Sequence, residues 1–186
     1  YCRSQNWSGW DPYDALNSRI FHACKFLHFR YARLALTQFL KRSPINFRPL
    51  LLVPKEQNPK GIALFLSAVV KLREAGLLKD SQVIRELAEA LLKLSSNHEG
   101  YTGWGYNFDW QTRGFLVPCY TPNIICTTFA ANALLDAHDQ FHYPTWLQAA
   151  QSAESCLLDG LNSTREADAL CFSYTPLDRG AIHNAS

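Results

Sequence analysis

Methionine is absent from all 186 residues, and charge is sparse: Asp, Glu, Lys and Arg make up 18% against 47% hydrophobic residues, for a net charge of +2. Basic residues are scattered, apart from Lys41 and Arg42 with Arg48 nearby, so no nucleic acid partner is expected. Long apolar runs are missing too. The longest, residues 61–70, stops at Lys71, short of the ~20 residues that span a bilayer, and no membrane partner is expected. The opening residues, from Tyr1 to Asn6, lack the basic-then-apolar order of a secretory leader. No Gly-x-Gly-x-x-Gly follows a strand pattern, and neither a lysine-bearing phosphate loop nor a Gly-x-Ser-x-Gly elbow occurs. Nucleotide-binding and serine-hydrolase chemistry therefore have no support, and no cofactor is expected.

Cysteine is present without a metal or disulfide pattern. Cys2, Cys24, Cys119, Cys126, Cys156 and Cys171 form no CxxC or tight cluster, and Cys126 and Cys156 fall on apolar helix faces, where a reduced thiol acts as a small hydrophobe. Reduced thiols and a cytoplasmic location are the expectation. Asn-X-Ser/Thr triplets at Asn6, Asn162 and Asn184 are the one hint of secretion. His138 and His142 are four apart, but they sit at a helix end before Pro144 and lack further ligands, so no metal is expected.

What is abundant is helical periodicity. From Arg30 a helix is expected to run to about Arg42, where Pro44 follows. Residues 45–54, rich in proline around Leu50 to Val53, read as an extended connector pressed onto apolar surface. Asn58 and Pro59 start a helix that continues through Ile62, Phe65, Leu66, Val69 and Leu72 to Gly76, and Ser81 caps the next, which carries Val83, Ile84, Leu87, Leu91 and Leu94. These two read as an antiparallel hairpin. Thr121 and Pro122 repeat the start signal for a helix to about His138, and Thr145 caps another through Trp146, Ala150, Ala153 and Leu158, ending near Gly160. Residues 169–176 suit a brief extended piece.

Between these helices lie loops of unusual composition. Residues 100–114 hold glycines at 100, 103 and 105, then Trp104, Tyr106, Asn107, Phe108, Asp109, Trp110 and Arg113. Glycine permits close backbone approach, aromatic faces stack on apolar ring surfaces, and Asp109 and Arg113 add charge, a composition that suits the rim of a polar ligand site or a plug for a helical core. Trp7 to Asp14, with Trp10 and Asp11, is a smaller relative; Phe172 to Asp178 is a third.

This alternation resembles part of an α/α toroid, the ring of helical hairpins found in six-hairpin glycosidases, N-acylglucosamine 2-epimerases, some polysaccharide lyases, and terpenoid cyclases with protein prenyltransferases. The hairpins over 58–95 and 121–159, with the three loops, carry the resemblance. It implies an all-α fold in a single domain, 1–186. The five helices read from the sequence fall short of a closed ring, so an incomplete piece of a larger toroid is expected, completed by the rest of a parent chain or an oligomer partner. The absent initiator Met and a helix-like entry in residues 180–186 agree with this.

In carbohydrate-active toroids the resemblance implies aromatic stacking and paired carboxylates at the loop rim. Trp10, Trp104, Tyr106, Asn107, Trp110 and Arg113 are the expected binding residues for a saccharide or other small polar ligand, and Asp109, Asp11 and Asp178 the expected catalytic ones. Glycoside hydrolysis needs two carboxyl groups about 5 to 9.5 Å apart. Asp109, between Phe108 and Trp110, is the expected proton donor, with Asp11, Asp14 or Asp178 opposite it. His183 and Asn184 would join the rim in an epimerase-like reaction. A non-catalytic scaffold is the rival reading, in which Asp109 only caps a turn or pairs with Arg113. An isoprenoid-handling enzyme is a third, weakened because the Asp-rich cyclase motif and a zinc set at prenyltransferase spacing are absent.

Overall fold

Apolar residues at helical spacing form helices in the computed structural model, which describes residues 1–178. His183 and Asn184 lie outside the described residues. Six α-helices are present among them: α1 (Arg19–Ala23), α2 (Arg30–Arg42), α3 (Pro59–Glu74), α4 (Gln82–Lys93), α5 (Ile124–Phe141) and α6 (Pro144–Leu158). Three antiparallel ribbons join them: β1 (Ser96–His98) with β2 (Tyr101–Gly103), β3 (Trp110–Gln111) with β4 (Leu116–Val117), and β5 (Ser163–Glu166) with β6 (Ala169–Phe172). The protein is thus mostly helical. The chain packs as two compact units, one from Tyr1–Asn58 with Asn107–Cys119, the other from Pro59–Tyr106 with the described chain from Tyr120 onward.

In the second unit, α5 packs against both α3 and α6, and α4 packs on α3. Lys60 lies over the Phe129 ring at 5.0 Å and Gln140 Nε2 donates to Glu74 at 3.0 Å, so α3 and α5 run the same way. Small residues make this close packing possible: Ala130, Ala133 and Ala137 of α5 are buried, opposed by the larger Ile62, Leu66 and Val70 of α3 and Ile84, Leu87 and Leu91 of α4. Each such large aliphatic contributes roughly 1.5–3 kcal/mol by leaving water.

The helix starts correct the expectations in detail. Ser81 makes no side-chain capping bond; Asp80 Oδ1 accepts the Gln82 N–H at 2.9 Å instead. The helix expected from Thr121 begins at Ile124, because Asn123 holds an extended backbone and its side chain accepts from Cys126 N at 2.8 Å. It runs on to Phe141 and ends at His142 in the left-handed region, φ 54°. Thr145 is not the cap of α6, which starts one residue earlier at Pro144, where proline presets the first-turn φ. No described helix is long and apolar enough to cross a membrane.

The first unit differs most from its sequence reading. Residues 45–54 are a compact set of turns rather than an extended connector: Leu51 N donates to Phe47 O and Val53 N to Arg48 O, and Leu52 takes φ 52° to reverse the chain. The apolar contact is as expected. Val53 joins Ala15 and Leu40 in a buried cluster, flanked by Trp10, Leu36, Phe47 and Leu51.

Candidate functional site

The expected site residues divide between the two units. In the second, Trp104 is 0% exposed. Its indole N–H donates to Leu91 O at 2.7 Å, and its backbone N–H donates to Thr127 Oγ1 at 3.1 Å. Both ring faces are covered, so Trp104 belongs to the core and presents no stacking surface. The glycines beside it show why the loop is built this way: a Cβ at Gly105 would lie 1.9 Å from Thr121 O, and one at Gly103 2.8 Å from Cys156 Sγ. Tyr106 is half-buried and shares a 2.8 Å hydroxyl bond with Tyr174. Burial raises the Tyr174 phenol, the Tyr106 bond lowers it in part, and Cys126 raises it again. Asp178 is half-buried, and its backbone carbonyl accepts from Asn162 Nδ2 at 2.8 Å.

Trp10, Asp11, Asn107, Asp109, Trp110 and Arg113 belong to the first unit. The Trp10 indole donates to Val53 O at 3.0 Å and carries Lys55 Nζ 4.6 Å from its ring centre. Both oxygens of Asp11 are engaged, Oδ1 accepting from Tyr13 N at 2.9 Å within its own turn and Oδ2 from the distant Asn58 Nδ2 at 3.2 Å. Asp14 is buried; its Oδ1 meets Arg48 Nε at 2.7 Å and its Oδ2 accepts from Asp11 N at 2.9 Å. Burial nevertheless raises its pKa, against the lowering effect of Arg48. Trp110 is half-buried on β3, while Arg113 is exposed and its carbonyl accepts from the Arg30 guanidinium.

Asp109 turns to the backbone rather than to Arg113, its Oδ1 accepting from Cys119 N at 2.8 Å. The Cys119 thiol is pushed up first by burial, then by the charge of Asp109 and a hydrogen bond to it, and then by the charge of Glu56. Two carboxylates therefore share the field around one thiol.

Glu56 is the residue that sequence reasoning missed. It is placed by a backbone bridge to Gly9, with Gly9 N to Glu56 O at 3.0 Å and Glu56 N to Gly9 O at 3.1 Å. That bridge sets it one residue across from Trp10. Its Oε2 accepts from Asn17 Nδ2 at 2.9 Å and from Asn107 Nδ2 at 3.1 Å, while Asn17 Nδ2 also donates to Asn107 O at 2.9 Å. Asn107 is 7% exposed, and its Oδ1 has no partner. Glu56 lies 39 residues from Asn17 and 51 from Asn107, in a stretch without aromatics, so no local pattern marks it.

This arrangement can hold a polar ligand by hydrogen bonds and transfer protons from carboxyl groups. Among the described residues no group of three or more His, Cys, Asp or Glu is placed to hold a metal, and all six thiols are free. By fold the protein is a mostly helical one with short ribbons. No family model matches the chain, and neither a curated protein nor a solved structure matches it.

Proposed function

We propose that the chain is carbohydrate-active and binds a saccharide on the first unit, at Glu56, Asn107 and Asp109 beside Trp10, where it acts by acid/base glycoside hydrolysis. The observation that carries this reading is the convergence on one unit of Asp109 and Glu56, both in the field of Cys119, with Glu56 oriented by two amide donors, half-buried Asn17 and buried Asn107. Glu56 takes the place of Asp11 and Asp178 as partner to Asp109, since Asp11 has both oxygens hydrogen-bonded, to Tyr13 N and Asn58 Nδ2, and Asp178 belongs to the second unit. Asp109 is the proton donor and Glu56 the base or nucleophile. In the same reading the helical hairpins are part of an α/α toroid, completed by the rest of a parent chain or by another copy.

The test is release of reducing ends from a panel of oligosaccharides, with binding followed by calorimetry. Asp109→Asn and Glu56→Gln should each slow turnover about 100-fold or more. A protein that binds no saccharide in the panel sinks the proposal. A second reading, a non-catalytic helical scaffold, draws on the sealed position of Trp104, which serves packing alone. Saccharide binding unchanged in Asp109→Asn, with no turnover in either protein, would favour it.

A further inference from the structure

Residues 15–55 of the first unit hold eight Lys and Arg and no Asp or Glu, and the same stretch exposes large apolar side chains. Phe26 is 77% exposed, Tyr31 71% and Phe29 54%, with Lys25 and Arg30 exposed among them. These residues form one corner of the unit. The His28 ring stacks on buried Phe21 at 4.9 Å and its Nε2 donates to Phe21 O at 3.0 Å, which folds the chain between α1 and the start of α2 back on itself. The Arg30 guanidinium donates to the Arg113 carbonyl, bringing a further exposed cation to that corner. Arg19 N, at the start of α1, donates to Leu52 O at 3.4 Å, so exposed Ile20 and Leu52 adjoin it. Single apolar residues scattered over a surface are ordinary; aromatic and aliphatic side chains gathered among cations, in a stretch without an acid, mark a partner.

We propose that this corner docks the protein on the surface of an anionic phospholipid bilayer. No described helix crosses a membrane, and docking requires none. Charge complementarity sets the sign of the partner: headgroup phosphates meet Arg19, Lys25, Arg30 and Arg113, while Phe26, Phe29 and Ile20 enter the boundary between headgroups and acyl chains. Tyr31, with an apolar ring and a polar hydroxyl, suits that boundary as well. A soluble polyanion would engage the cations and the ring faces but leave Ile20 and Leu52 in water; a bilayer surface takes both kinds of side chain. The proposal stands apart from the saccharide reading, since it uses none of Glu56, Asn107 and Asp109.

Flotation of the intact protein with lipid vesicles at low salt is the test. Vesicles of phosphatidylcholine with an equal share of phosphatidylglycerol should bind about tenfold or more tighter than phosphatidylcholine alone. Lys25→Gln with Arg30→Gln should erase that preference, and Phe26→Ser with Phe29→Ser should weaken binding about tenfold or more with the charge unchanged. Both pairs alter exposed side chains, and Phe29 is the N-cap of α2, where serine is favoured, so the fold should hold. In the unaltered protein, raised salt should weaken binding to the mixed vesicles by screening. Binding to neither vesicle, equal binding to both, or indifference to salt overturns the proposal. Binding that survives the loss of both phenylalanines overturns it in favour of a soluble polyanion, because charge alone is then read. Dimerisation without vesicle binding, abolished by the phenylalanine variant, overturns it in favour of a second copy of this chain.

Discussion

Cys119 is exposed, and its thiol hydrogen-bonds the Asp109 carboxylate, which makes it a reporter for the candidate site. Removing the Asp109 charge lowers the thiol pKa toward its ordinary 9.0, so the thiolate fraction at pH 8 rises. Asp109→Asn should therefore speed iodoacetamide alkylation of Cys119 severalfold, measured by peptide mass spectrometry; an unchanged rate would place Asp109 away from the thiol. Trp104 gives a contrasting prediction. Trp104→Phe keeps most of the apolar volume but removes the indole bond to the Leu91 carbonyl, leaving it the Leu94 N–H, and should cost about 0.5–1.5 kcal/mol in urea unfolding without a specific effect on ligand affinity. The two residues come from one aromatic loop, and composition alone does not separate them. Burial does: Trp104 is fully enclosed, while Asp109 is half-buried.

At the scale of elements, periodicity located the helices and local chemistry set their ends. α2 and α3 begin where the sequence places them, at Arg30 and Pro59, because apolar spacing and proline position are local properties. The start of α4 shows the limit of such reading. Ser81 and Asp80 are both good caps by type, and only backbone geometry decides that Asp80 accepts the Gln82 N–H. Asp80→Ala should cost about 1 kcal/mol, and Ser81→Ala close to nothing, by thermal unfolding. The ribbon β1–β2 turns at Glu99 and Gly100, both at positive φ (52° and 91°), as a two-residue hairpin requires. Beyond it, Gly105→Ala drives a methyl against the Thr121 carbonyl and should destabilise the second unit by about 3 kcal/mol. Leu52 is the element-scale surprise: a left-handed residue with no glycine to announce it turned an expected extended connector into a compact one.

At the scale of the whole molecule, the shifted groups among the described residues share one direction. Asp14, Cys119, Cys156 and Tyr174 are all raised, in each case with burial as the first cause. A raised group holds its proton longer folded than unfolded, so its stabilising effect is complete below the ordinary value and is lost as pH rises through the folded one. For the thiols and the phenol the window opens above 9.0 and 10.0. The urea midpoint should fall steadily as pH is raised through that range, and Cys119→Ser should remove part of the slope. Asp14 acts in the same sense in acid: its contribution is complete below 3.8 and declines as pH rises through its folded value, with Arg48 limiting the loss.

The sequence by itself determined the five longer helices, α2 to α6, to within a few residues at their ends, and the glycine-bound aromatic loop, because these follow from spacing and residue type within a few neighbours; the short α1 carried too little periodicity to be read. It could not determine that Glu56 stands with Asp109 in the field of Cys119. Glu56 acquires its place from a bridge to Gly9 and from amides 39 and 51 residues away, and loop closure over such distances leaves no trace in local pattern. Nor could it tell a ring that faces solvent from one that fills the core, because an aromatic side chain has the same apolar surface in either place. Tertiary packing alone enclosed Trp104 and left the Asn107 side-chain oxygen Oδ1 buried and without a donor.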